Sequence, residues 1–479
     1  MADENLKNKT KKGIYWTFFN QLVINGFSFV VGVVMARHLS PSDYGITALP
    51  AVLIDIANVF IYGGLSTALV RKPEISEKDL STSFIYSLSV GIVCFSLLFV
   101  IAPYVSDFYS EEVLTPLIRV TSLTFLWCAL ATPQNVILNR ALNFKTLSKV
   151  TISTRIIGGG MGILCAILGY GLWSLVVMNV VSSLAQTVLL WSFVKWIPKE
   201  KWSKESFRYL WGFGNKLILV GILERIYLNI TPIIIGKYFS TAELGLYNRA
   251  KGYADLPSQQ GTNVVQQVTF PVLSRMQNDD IALANSYRKM LKVTAFVLFP
   301  IMMLLAALAH PFIVVLVTSK WEASVLYLQI ICFASMWYPI HSINLNLLQV
   351  KGRSDLFLRV EIITKVLGVI VIFATLPFGL VVFCVGSVVY AVVSLIVNTY
   401  YTDKLIKLGF IAQMKDLLPT IGLSLLMYAV VTITISFISN DFAQLMIGGI
   451  VGFVLYLLLA HIFRFSELED VKYILNRRK

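Results

Sequence analysis

Arginines, lysines and carboxamides stand inside stretches that are otherwise apolar, a combination suited to holding an anion that carries many hydroxyls. One stretch carries Lys216, Glu224 and Arg225. The next carries Asn248, Arg249, Lys251, Asp255, Gln259, Gln260, Asn263, Gln266 and Gln267. At about 100° per residue, Asn248, Asp255, Gln259, Asn263 and Gln266 share one helical arc of about 80°. Gln21, Asn25 and Asp55 lie upstream, Arg140 and Arg155 follow, and His341, Asn344, Asn346 and Lys365 come later. Cations outnumber acids in this set, so an anionic ligand fits it. Amides both donate and accept, which suits sugar hydroxyls. Asp55, Asp255 and Glu224 are candidates for charge balance or for a coupling-ion site, although Asp55 and Asp255 would serve equally to brace helix contacts. Arg140, Arg155 and Lys365 sit near the ends of their stretches, where ligand binding and snorkelling to headgroups are both open. Glu224 and Arg225 point about 100° apart, so each could pair elsewhere. His341 reads as a hydrogen-bonded bundle residue rather than a proton switch.

These groups need apolar helices to position them. Of 479 residues, 57% are hydrophobic and only 14% charged. A soluble domain carries about 25% charged residues, so the solvent of this chain is mostly lipid. Spans of roughly 20 apolar residues are expected near 13–36, 44–70, 81–105, 114–137, 150–169, 172–194, 213–238, 245–271, 289–317, 324–348, 360–378, 380–402, 416–438 and 441–463. The fold class is therefore all-α integral membrane, with about 14 transmembrane helices. An ionisable group in mid-membrane costs roughly 2.5–3.5 kcal/mol on insertion scales, so the polar positions should face a cavity or a partner.

Basic residues alternate between the two sides of this map. They crowd the N-terminal tail, every second link and the C-terminal tail, and the opposite side has only Arg37, Lys237 and Lys320. By the positive-inside rule both termini are expected in the cytoplasm. The same topology explains the net charge of +14 without nucleic acid. Residues 1–12 are expected to be a polar cytoplasmic tail rather than a cleaved leader. Cys94, Cys128, Cys165, Cys332 and Cys384 show no metal-ligand or disulfide spacing. Phosphate-loop, zinc-protease and serine-hydrolase motifs are missing, so an enzyme is not expected, nor any cofactor or metal. Gly158, Gly159 and Gly160 read as close helix packing.

The halves also resemble each other. Arg37-His38-Leu39-Ser40-Pro41-Ser42-Asp43-Tyr44-Gly45 matches Lys237-Tyr238-Phe239-Ser240-Thr241-Ala242-Glu243-Leu244-Gly245 at an offset of 200, and Asp55 meets Asp255. With the offset at 210, Trp127 meets Trp337 and Arg155 meets Lys365. Six spans per repeat imply parallel halves related by an axis along the membrane normal. The expected organisation is an N-lobe at 13–194, an interfacial linker at 195–212, a C-lobe at 213–402, an appended two-helix hairpin within 403–463, and a basic tail at 464–479.

Several strings carry a family resemblance. They are Gly13-Ile14-Tyr15-Trp16, the Ala36–Gly45 string, Gly64-Leu65-Ser66-Thr67-Ala68-Leu69-Val70, and Leu138-Asn139-Arg140-Ala141-Leu142. Gly169-Tyr170-Gly171-Leu172-Trp173, Leu244-Gly245-Leu246-Tyr247-Asn248-Arg249-Ala250 and Phe270-Pro271-Val272-Leu273-Ser274-Arg275 complete them. Together they resemble the Wzx-type polysaccharide flippases of the multidrug/oligosaccharidyl-lipid/polysaccharide exporter superfamily. The resemblance implies two six-helix lobes, a cationic cavity and alternating access. It further implies an undecaprenyl-diphosphate-linked oligosaccharide carried from the cytoplasmic to the periplasmic leaflet of a bacterial inner membrane by a monomer. Arg249 and Arg140 stand inside matched strings. On this reading Arg225, Arg249, Lys251 and Lys216 bind diphosphate or acidic sugars. A proton or sodium ion is the candidate coupling ion, and a polysaccharide polymerase or chain-length machinery a candidate partner. A cation-coupled multidrug exporter and a peptidoglycan-precursor (lipid II) flippase are the alternatives.

Overall fold

A computed structural model describes the backbone of residues 2–476, with side chains described for Trp16, Asn20, Gln21 and 23–472. Among the described residues the secondary structure is helical, without strands. Arg477, Arg478 and Lys479, part of the expected basic tail, lie outside them. Among the described residues ten helical stretches, the interrupted Pro41–Arg71 included, are long and apolar enough to cross a membrane, and the apolar stretch Val23–His38 is a shorter candidate. The chain divides into two compact units, residues 1–245 and 246–479.

The first unit opens with α1 (Ala2–His38), which takes up the residues expected as a tail. The second span is broken into α2 (Pro41–Ala48), α3 (Ala51–Asn58), a π-helical turn at Val59–Gly63, and α4 (Gly64–Arg71). Next come α5 (Glu77–Tyr109), α6 (Leu114–Arg140), α7 (Phe144–Ile167), α8 (Trp173–Phe193) and α9 (Lys204–Tyr238). Helices α5 and α6 pack together, as do α7 and α8, while α9 lies along α3, α4 and α5. The expected linker is only partly a separate segment. Residues 194–203 are non-helical, and α9 begins at Lys204. At 35 residues α9 would be about 52 Å long, well beyond a hydrocarbon core of about 30 Å. Its first turns carry an aromatic cluster of Phe207 and Trp211, joined by Trp202 and Tyr86. The linker backbone donates to Ser81 and Thr82 hydroxyls from Glu200 and Ser203, and Trp196 donates to Glu77. Gly158 meets Ser182 and Gly159 meets Phe27 and Val31, as close packing requires, whereas Gly160 meets nothing.

The repeated nine-residue string has a clear physical meaning. Its Ser-x-x-acid core forms a capping box in both copies. The Asp43 carboxylate accepts from the Ser40 backbone at 2.8 Å, and the Ser40 hydroxyl accepts from the Asp43 backbone at 3.2 Å. Ser240 and Glu243 repeat this at 3.0 and 3.2 Å, starting α10 (Thr241–Ser274). The glycine that ends each copy permits a symmetric crossing. A Cβ on Gly45 would lie 1.7 Å from the Thr241 carbonyl oxygen, and one on Gly245 would lie 1.8 Å from that of Pro41. The Ser42 and Thr241 hydroxyls meet beside them at 2.9 Å.

The second unit comprises the rest of α10, then α11 (Asp280–Ala307), α12 (Ala309–Val317), α13 (Ser324–Ser335), α14 (Tyr338–Val350), α15 (Ser354–Thr375), α16 (Leu380–Ile406), α17 (Phe410–Ser436), α18 (Asp441–Ile462) and α19 (Ser466–Asn476). Asn344 lies at the centre of a buried polar network. Its Oδ1 accepts from Tyr287 at 2.8 Å, Thr402 at 2.8 Å and Gln413 at 3.1 Å, which ties α11, α14, α16 and α17 together. The α17–α18 hairpin is fastened to α11 by that network, by the bidentate Arg288–Asp416 pair at 2.6 and 2.7 Å, and by the Tyr456 hydroxyl on the Phe296 carbonyl. Within the expected basic tail, α19 is a helix held to α11 by Lys289–Asp470 at 2.6 Å and Lys292–Glu467 at 3.4 Å.

The glycine crossing yields a test. Gly45→Ala or Gly245→Ala must separate two backbones, and overpacking of this kind costs about 1–3 kcal/mol. Either variant should melt earlier in detergent than Gly160→Ala, whose added methyl meets open space. Equal melting of all three would refute the crossing.

Candidate functional site

Helix α10 carries the longest polar face. Its buried side consists of Ala250, Tyr253, Ala254 and Ser258, and Ser258 donates to the Ser335 carbonyl at 2.6 Å. The opposite side leaves Gln259, Asn263 and Gln266 exposed. Helical spacing brings Lys251 and Asp255 to the same side, where they pair at 2.8 Å. From Lys251 to Gln266 this face extends about 22 Å at 1.5 Å per residue. A pair of opposite charges followed by three amides gives one end for an anion and a long track for hydroxyls.

Arg249 does not join that pair. It stands about 200° round the helix from Lys251, and its guanidinium lies over the rings of Tyr253 at 5.5 Å and Trp321 at 5.4 Å. Lys365 pairs with Glu361 at 3.3 Å on α15. His341 meets Asn398 at 3.0 Å inside the bundle, in keeping with a hydrogen-bonding role.

In the first unit, Asp55 on α3 accepts from Asn229 on α9 at 3.0 Å, and the same amide donates to the Arg225 carbonyl at 2.9 Å. Asn229 was not among the expected site residues. Its position four residues after Arg225, on nearly the same face, was the available signal. Asp55 thus takes a helix-bracing contact, and the Arg225 side chain is exposed. Span 7 does not gather its charges: Lys216 and Arg225 are nine residues apart, which places them about 180° round α9, with Glu224 nearer the Lys216 side. All three are exposed. Gln21 donates to Asn25 at 3.0 Å along α1.

Arg140 has a different task. Its guanidinium donates to the carbonyls of Leu69 at 3.2 Å, Val70 at 3.1 Å and Pro73 at 2.8 Å, and also to that of Lys72. The set covers the end of α4 and the two residues after it, where carbonyls lose helical donors, although the Leu69 carbonyl also accepts from the Lys72 backbone at 3.3 Å. Arg155 is exposed on α7. No group of three or more His, Cys, Asp or Glu among the described residues could hold a metal ion.

Long apolar helices, packed with a helix that exposes a row of amides, define a multi-pass, all-α membrane transporter. The chain belongs to the polysaccharide biosynthesis protein family, whose profile its residues 34–326 match. It is 24% identical over 463 residues to the teichuronic acid biosynthesis protein TuaB of Bacillus subtilis (strain 168), covering 95% of this chain and 96% of the relative. It is 23% identical over 364 residues to the lipopolysaccharide biosynthesis protein WzxC of Escherichia coli (strain K12), covering 75% and 73%. Among solved structures, the lipid II flippase MurJ in an inward closed conformation superposes with a TM-score of 0.75 at 18% identity, over 94% of this chain and 98% of that one. An inward-facing multidrug transporter of the MATE family reaches 0.60 at 14% identity, over 80% and 95%. These two likenesses show the fold.

The Asp55–Asn229 contact can be tested alone. Asn229→Ala leaves a carboxylate without its amide, and a hydrogen bond to a charged group contributes about 1.5–3 kcal/mol. The variant should melt earlier, and Asp55→Asn in the same chain should recover much of the loss. Independent, additive effects of the two changes would contradict the coupling.

Proposed function

We propose that this protein is a flippase for lipid-linked oligosaccharides: it carries undecaprenyl-diphosphate-linked repeat units from the cytoplasmic to the periplasmic leaflet of a bacterial inner membrane, with both its termini cytoplasmic. The family supports a role in polysaccharide biosynthesis, and the observation that carries the reading is the exposed face of α10. Its amides match a glycan, and a prenyl tail needs no polar site because it can stay in lipid. The diphosphate is assigned to Lys251 in the second unit, and Arg225, Lys216 and Arg249 are candidate cations for diphosphate or acidic sugars. Asp255 neutralises Lys251 when no phosphate is bound, and it exchanges with the phosphate as the ligand enters. Asp55, Asp255 and Glu224 are the candidates for a coupling-ion site. Transport proceeds by alternating access, driven by an ion gradient, the membrane potential or consumption of the product. A multidrug exporter would present acids or aromatic rings to organic cations, and the α10 face offers mainly amides.

The test is complementation of a host strain lacking the gene. Wild-type protein should restore surface polysaccharide and clear the lipid-linked glycan that accumulates. A joint Arg225→Ala, Lys251→Ala variant, present at wild-type level in the membrane, should lower export about tenfold or more, the equivalent of about 1.4 kcal/mol of lost binding or transition-state energy. Full export by that variant would remove these cations from the mechanism. Unchanged export in the deletion strain, with only drug tolerance reduced, would overturn the reading itself.

A further inference from the structure

The broken second span creates a cavity to which the proposed transport path assigns no role. The π-helical turn at Val59–Gly63 shifts the face that α4 presents, and turns of this kind recur at functional sites. Tyr62, Ser66, Thr67 and Val70 line one wall of the cavity, with Thr132, Asn135, Val136 and Asn139 of α6 opposite. The volume is about 300 Å³, at the lower end of the range of roughly 300–1,000 Å³ usual for small-molecule sites. Arg140, one residue beyond Asn139, is occupied with the carbonyls at the end of α4 and stays out of the lining.

The hydrogen-bonding capacity of the lining identifies the ligand class. Thr67 donates to the Gly63 carbonyl at 2.9 Å and Thr132 to that of Cys128 at 3.1 Å, so both hydroxyls keep lone pairs for an incoming donor. Asn135 and Asn139 each donate one N–H to a backbone carbonyl, to Ala131 at 3.3 Å and to Asn135 at 2.9 Å. Each amide retains a second N–H and an oxygen. The Ser66 hydroxyl is buried and has no partner at all. No lining residue is charged. A phosphate would lack a cation here and an organic cation would lack an acid. An acyl chain would leave Ser66 and the amides unsatisfied, at several kcal/mol for each such group in hydrocarbon. A ring with hydroxyls that donate and accept at its edge, and C–H groups on its faces for Val70, Val136 and Tyr62, matches every group present.

We propose that the cavity between α4 and α6 is a subsite for one uncharged sugar ring of the transported glycan, an assignment that rests on the flippase reading above.

The test uses full-length protein in detergent and two probes: the lipid-linked glycan extracted from the deletion strain, and undecaprenyl diphosphate without sugar. Binding is read by native mass spectrometry. Wild-type protein should prefer the glycosylated lipid about tenfold. Ser66→Ala with Asn135→Ala should reduce that preference to less than about threefold and leave affinity for the sugar-free lipid unchanged. Ser66→Ala alone, which deletes only an unpartnered hydroxyl, should lower the preference part of the way at an unchanged melting temperature. Full preference in both variants, or no preference in the wild type despite binding of both lipids, overturns the subsite and leaves the flippase reading standing. Failure of wild-type protein to bind either lipid overturns the flippase reading, and the subsite with it.

Discussion

A polar group within hydrocarbon must find a partner inside the protein, and this one constraint organises the whole chain. Threonine hydroxyls turn back onto carbonyls of their own helices at Thr151, Thr364 and Thr399. Tryptophan N–H groups reach across helices, as Trp191 does to Leu130. Where span 2 stops, the carbonyls it exposes are met by Arg140. In the second unit the same demand gathers Tyr287, Asn344, Thr402 and Gln413 into a single buried network, which makes α17 part of the core. Against this background the exposed Gln259, Asn263 and Gln266 stand out. Exposed amides can both donate and accept, and α10 presents them along one face.

The all-α fold was legible because the signal for a spanning helix is long and uniform. Ten of the expected spans appear as helices that satisfy length and apolarity, and α10, α14 and α15 account for others whose polar content or breaks keep them below that standard. The internal repeat was legible as a pattern, but its cause was not. Ser40 with Asp43 and Ser240 with Glu243 are capping boxes, and Gly45 and Gly245 allow two backbones to cross. A crossing depends on what lies opposite in space, which one string of residues does not reveal. The helix α19 was hidden for a similar reason: its ion pairs to α11 come from residues more than 170 positions earlier.

The candidate site was legible in kind more than in arrangement. The α10 stripe follows directly from helical periodicity. Lys251 and Arg249 flank that stripe at equal angles on either side, and only the structure tells them apart: Lys251 pairs with Asp255, whereas Arg249 lies over Tyr253 and Trp321. Arg140 carries the charge expected of an anion ligand, and its geometry instead serves the end of a helix. Cations in a membrane protein can bind substrate, cap a helix or reach headgroups, and the sequence weighs those roles almost equally. Uncharged hydroxyls and amides, such as those lining the cavity between α4 and α6, attract less notice although they are the groups that match a sugar.

The central claim is movement of a glycan headgroup between leaflets, and reconstitution tests it most directly. Purified protein in liposomes that contain the lipid-linked glycan, labelled on its sugar, would be given a membrane-impermeant glycosidase from outside. The account predicts that protein-containing liposomes expose nearly all of the label with time, while protein-free liposomes stop at the outer-leaflet half. Digestion that stops at half in both, with the protein correctly folded and inserted, would contradict it.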